Sequence, residues 1–258
     1  MPTKTPTTSD FPNLTVTITH PSPSPTSTAP SPNILLLLHG LGDTAASFTK
    51  FAQALRLPET TIITIQGIAP LPFDLGGFHW GDDVSFDSAT GALEMDAGFT
   101  KATEVLSGMV RRTLIAECGY RLREIMVFGF GQGGMAGLAL ARELGIESKS
   151  AAGAEAWDGE VGPVSGVVSI GAAYSVDGSR VGKNRSPVLL VAGRDSVAVS
   201  DDAVRRTKLV FEFVEVSRYA RRGDGMPSSR EEMFPVMQFF ARTLRSRQGV
   251  PEGSVELS

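Results

Sequence analysis

Two hydrophobic patterns alternate along the chain. Short apolar runs, NILLLL (33–38), TIITI (61–65), IMVF within 125–129, GVVSIGA (166–172) and PVLLVAG (187–193), are bounded by glycine, proline or polar residues. Runs of this length predict strands buried on both faces of a parallel sheet. Between them, apolar residues recur three and four apart. Residues 45–56 predict a helix that Asp43 or Thr44 can cap. Residues from about 96 to 117 predict a longer one, with Phe99, Ala102, Leu106, Met109, Val110 and Leu114 on one face. Residues 133–144 predict a third, closed by Gly145, and 200–209 a fourth. A final helix carries Met233, Val236, Met237, Phe240, Ala241 and Leu244. Ser229 and Glu232 have capping-box spacing there, but Pro235 close behind leaves the first residue open. LTVTITH (14–20) and VFEFVEV (210–216) alternate as strands, the former suited to an edge.

Buried strands alternating with amphipathic helices predict an α/β fold, a doubly wound and mostly parallel sheet with helices on both faces. One domain over 33–247 accounts for these elements. Residues 1–32 read as a flexible arm with an edge strand and a Pro/Ser/Thr loop, PSPSPTSTAPSP (21–32), and 248–258 as a tail. Two further segments, 66–94 and 146–163, lack periodicity; loops of that length inside a domain are usually functional or disordered. In such sheets the site lies beyond the carboxyl ends of the strands, which directs attention to 39–43, 129–133 and 193–199.

Composition narrows the function classes. A net charge of −4 with 20% charged residues gives no electrostatic case for nucleic acid. The basic runs RYARRGD (218–224) and RTLRSR (242–247) read as a solvated face, with an acidic partner or a phospholipid headgroup as the alternative. One cysteine, Cys118, excludes an intrachain disulfide framework. The N-terminus has no apolar signal-like stretch, and the longest apolar run, ILLLL (34–38), is far too short to span a membrane, so a cytoplasmic location is the expectation.

Four segments carry a resemblance. LLLLHGLGDT (35–44), GFGQGGM (129–135), VLLVAGRDSVAV (188–199) and GMPSSREEM (225–233) stand in the order and spacing of the phospholipase/carboxylesterase family of α/β-hydrolases, best known for acyl-protein thioesterases. The similarity runs over roughly residues 33–246. It implies the α/β-hydrolase fold, a strand-to-helix nucleophile elbow, and an oxyanion hole made by the backbone N–H groups of Leu41 and Gln132. His39, Gly40 and Gly42, with His79 and Trp80 of GFHWGDD (77–83), would face the ligand. The resemblance places the triad acid at Asp195.

Two positions depart from the family pattern. Where it writes GFSQGG, this chain has Gly131, which offers no nucleophile. Where it carries the histidine, this chain has Pro227. The three histidines are His20, His39 and His79, so the order Ser…Asp…His cannot be completed in the second half. Three readings follow, in this order. The first is a catalytically silent member that binds an acyl or ester small molecule or a partner. The second is a hydrolase of carboxylic esters or thioesters using His79, with Asp82, Asp83 or Asp195, to activate a water or hold a metal ion. The third is an interaction scaffold using loops 21–32 and 146–163. No cofactor is expected, and the oligomeric state is left open.

Overall fold

The computed structural model describes residues 2–21, 29–86, 88, 91–146 and 159–247. Most of the Pro/Ser-rich loop at 21–32, most of 146–163 and all of 248–258 lie outside the described residues.

Seven strands form one sheet: β1 (Val16–Thr19), β2 (Asn33–Leu38), β3 (Thr60–Ile65), β6 (Ile125–Phe130), β7 (Gly166–Ile170), β8 (Val188–Ala192) and β9 (Val214–Arg218), in the order β1-β3-β2-β6-β7-β8-β9. Every neighbouring pair is parallel except β1 with β3. Two short strands, β4 (Ala69–Pro70) and β5 (Phe78–His79), make a separate hairpin. The helices are α1 (Ala45–Leu55), α2 (Thr100–Met109), α3 (Gln132–Gly145), α4 (Asp201–Val210) and α5 (Arg230–Thr243).

The continuous apolar runs are explained by burial from both sides. In β2, Ile34, Leu36 and Leu38 enter a core with α2 and α3, while Leu35 and Leu37 enter a second core with Phe48, Ala52 and Phe240 of α1 and α5. Alternate residues feed opposite faces, so both faces are buried, and the polar residues among these strands, such as Thr61, Thr64 and Ser169, are small. Each fully buried leucine contributes about 2–3 kcal/mol.

Several elements differ from expectation. The long helix begins at Thr100, because residues 94–98 are bound elsewhere, and it passes into a π-helix over Val110–Glu117. The last strand starts at Val214 rather than 210, since α4 runs on to Val210 and Phe211 turns into the core. Thr44, not Asp43, caps α1, accepting from Ser47 N at 3.3 Å. Ser229 caps α5, accepting from Glu232 N, and Pro235 lies within the helix.

The N-terminal arm is docked rather than loose. Thr3 N and Lys4 N donate to Cys118 O at 2.9 and 3.3 Å. Thr113 Oγ1 donates to Asp10 O, and Phe11 is buried. The basic runs are corrected as well. Arg218 donates to Gly193 O and Val199 O, Arg245 pairs with the buried Glu124 at 3.3 Å, and Arg247 donates to Pro30 O. Much of the expected solvated face is spent on internal bonds. No helix among the described residues is long and apolar enough to cross a membrane.

Candidate active site

Strand β6 passes into α3 through one residue. Gly131 has φ 52° and ψ −122°, a conformation that costs an L-residue strain and costs glycine little. The glycines around it answer to crowding. A Cβ on Gly133 would collide with the carbonyls of Leu38 and His39, one on Gly129 with the backbone of Gly133 and Gly134, and one on Gly134 with Ser169 Oγ. Their absence of side chain lets α3 lie directly against β2, β6 and β7. Gly131 is different. A Cβ there would meet only Met95 among the described residues, Sδ at 3.7 Å and Cε at 3.8 Å, ordinary van der Waals contact. Backbone conformation favours glycine at 131; space does not demand it.

The loop after β2 lies against this turn. Gly40 packs on the Phe130 ring, and Gly42 N donates to Phe78 O at 2.9 Å, tying the loop to β5. The N–H groups of Leu41 and Gln132 donate to no described residue. The Gln132 donor is one of the orphan donors of the first turn of α3, where the helix dipole adds positive potential.

His39 is fully buried, and both ring nitrogens are engaged: Nδ1 donates to Gly40 O at 2.7 Å and Nε2 accepts from Gly67 N at 2.8 Å. Burial pushes its pKa below the ordinary value, and these partners fix one neutral tautomer. Trp80 is also fully buried; its indole donates to His39 O at 2.9 Å. Both side chains are buried and bond the loops to one another. His79 is buried with its Nδ1 unpartnered among the described residues, and burial lowers its pKa as well.

The carboxylates expected as its helpers are occupied. Asp82 accepts from Thr100 N and Lys101 N at 2.8 and 2.7 Å, capping α2. Burial alone would raise its pKa; those N–H groups together hold it below the usual value. Asp83 accepts from Val84 N. Among the described residues no group of three or more His, Cys, Asp or Glu is placed to hold a metal.

Asp195 is half-exposed, 3.5 Å from Arg222 and accepting from Gly223 N at 3.2 Å. The carboxylate built into the strand tips is Asp224, which accepts from Gly193 N at 2.9 Å and Ser196 Oγ at 2.8 Å, while its backbone lies against Gly171. Pro227 sits in a loop gathered around Arg221. That guanidinium donates to Gly225 O, Met226 O and Glu232 Oε1, and Glu232 accepts from Ser228 N on the far side of the proline. Asp224 escapes notice in the sequence because it ends a run dominated by arginines. Arg221 and Glu232 lie eleven residues apart and give no sequence signal of pairing.

Comparison with known proteins agrees with this architecture. The profile of the phospholipase/carboxylesterase family matches residues 25–173. The matched stretch holds the loop after β2 and the elbow; Asp195 and Pro227 lie beyond it. An uncharacterised hydrolase of Schizosaccharomyces pombe is 38% identical over 110 residues, 41% of this chain and 44% of that protein, so the match spans less than half of the relative. An uncharacterised hydrolase of Mycosarcoma maydis is 29% identical over 221 residues, 83% of this chain and 78% of that one. The fold is similar to that of esterase PE8 (TM-score 0.65, 19% identity, 90% of this chain and 99% of that one). It is similar also to Zea mays acyl-protein thioesterase 2 (TM-score 0.62, 19% identity, with the same coverage). With more than half of its length matched by the profile and its sheet built to the same plan, the chain belongs to the phospholipase/carboxylesterase family of α/β-hydrolases.

Proposed function

We propose that this chain binds an acyl or ester-type ligand at the elbow without turning it over as a serine hydrolase does. The observation that carries the reading is Gly131. The turn is in place, a Cβ would meet only Met95 at van der Waals distance, and none is there. In keeping with it, no imidazole follows residue 79, and the position the family pattern gives to the base is Pro227 in a loop held by Arg221 and Glu232. Losing a triad serine or histidine costs on the order of 10⁶ in turnover. What remains is binding and the Leu41 and Gln132 donors, each worth about 3–4 kcal/mol toward a developing oxyanion.

The reading is tested by hydrolysis of p-nitrophenyl acetate and of an acyl thioester, with fluorophosphonate labelling alongside. The wild type is expected to show neither saturable turnover nor labelling, and Gly131→Ser with Pro227→His is expected to gain labelling. Labelling of a wild-type serine would end the proposal.

A second reading keeps one supporting observation, the buried, unpartnered Nδ1 of His79. A water activated there requires turnover by the wild type that disappears in His79→Ala.

A further inference from the structure

Residues Glu94–Gly98 run past the elbow as a strap, and every one of them is hydrogen-bonded. Glu94 N donates to Ser85 O, and its carboxylate accepts from Ser85 Oγ at 2.6 Å. Met95 O accepts from Gln132 Nε2 at 3.1 Å. Asp96 accepts from Ser175 Oγ at 2.5 Å and Val176 N at 2.7 Å. Ala97 O and Gly98 O both accept from Asp82 N. Strap residues therefore bond to the loop after β5, to the elbow and to the segment after β7.

The strap is tied to the elbow through the side chain of Gln132, which is buried; its Oε1 also accepts from Trp80 N at 2.7 Å. One residue thus joins the end carrying the backbone donor to two segments of the roof. Gln132 holds the Met95 backbone in a place from which the thioether reaches the Cβ position of residue 131.

We propose that Met95 is a specificity-determining side chain that closes the elbow over Gly131, with Gln132 as the residue that positions it. A methionine suits this place because it is unbranched, has three rotatable bonds, and carries a polarizable sulfur that fills an irregular gap without being fixed in it. A carbonyl-bearing ligand reaches the Gln132 N–H when the thioether swings aside. Slender acyl groups that share the space with it are admitted, and groups branched next to the carbonyl are turned away. The inference takes the elbow as the binding place, as above. Its test reads access to residue 131 and not turnover or affinity, so the two ideas fail separately.

The experiment places a thiol under the strap, Gly131→Cys, and measures its alkylation by iodoacetamide in the folded protein. Cys118 is fully buried and burial raises its thiol pKa, so the wild type supplies the background. Met95→Ala in the Gly131→Cys chain is expected to speed alkylation at least tenfold, and Met95→Leu, which keeps the volume, to leave it slow. Ser175→Ala, which releases one end of the strap, is expected to fall between them. Equal rates with methionine and alanine at 95 would overturn the proposal, as would Leu and Ala variants that react alike. Where Gly131→Cys does not fold, the same contrast is read in the native background. Hydrogen exchange of the Gln132 amide is then expected to rise at least tenfold in Met95→Ala, and an unchanged rate overturns the proposal.

Discussion

The loop after β2 with the elbow, and the loops that follow β8 and β9, are the two halves of the proposed site, and their balance of packing and side-chain bonding differs. At the elbow, Gly129, Gly133 and Gly134 are fixed by backbone crowding, since any side chain there meets a carbonyl, a neighbouring peptide or Ser169. That half is the geometry of α3 lying on the sheet, and it stands whether or not chemistry is done there. In the other half, Asp224 bonds the tip of β8 and Arg221 gathers the residues around Pro227. Backbone contacts take part here too, Gly193 against the Gly223 peptide and Arg194 N on Arg221 O, but the residues around Pro227 are gathered by side-chain hydrogen bonds, and other side chains can make other bonds. A frame fixed by packing depends on no catalytic side chain, while a loop gathered by side-chain bonds changes with the residues that make them. The family profile stops at residue 173, between the two.

The largest expected effect is at Gly133. Helix propensity alone favours Gly133→Ala by about 1 kcal/mol. Crowding against Leu38 O and His39 O is expected to reverse the sign and cost about 3 kcal/mol, read by denaturant unfolding. Should alanine stabilise the chain, the packing account of the elbow is wrong. Next comes Asp224→Ala, which leaves Gly193 N–H and Ser196 without their acceptor and is expected to cost about 2 kcal/mol. Asp195→Ala, at a half-exposed carboxylate, should stay within about 0.5 kcal/mol. Equal losses from the two would return Asp195 to the structural centre of that half. Gly131→Ser is expected to cost about 1–2 kcal/mol, the strain of the turn and nothing more.

The mildest effect concerns pH. Burial lowers the pKa of His39 and of His79, so the folded chain binds fewer protons than the unfolded one. Their contribution is fully present above the unfolded value of about 6.5 and is lost as pH falls through the folded values. Melting temperature should therefore decline below about pH 6.5. The decline should be shallower in His79→Gln, whose surroundings include Asp83 and Lys101, and an unaltered slope would remove His79 from the account.

The sheet was legible because burial on both faces leaves an unmistakable apolar run, as in NILLLL. The elbow was legible because its glycines stand together in one short run, GFGQGG, although the atoms that crowd them belong to Leu38, His39 and Ser169. The other half was not, because its bonds join residues far apart. Gly193 with Asp224 spans 31 positions and Arg218 with Val199 spans 19. Nothing in RYARRGD says that two of its arginines turn inward and that its aspartate binds a strand tip. The docking of the arm was hidden too, since its polar, proline-containing letters show no period, although Pro2, Pro6 and Phe11 are buried.

That arm bears on how the protein is handled. Trimming the first dozen residues looks harmless by composition, yet Thr3 and Lys4 cover the carbonyl of Cys118 and Phe11 fills the adjoining core. A truncated chain would leave the Cys118 carbonyl without these donors and open the core where Phe11 packs. A tag for purification is better joined at the other end.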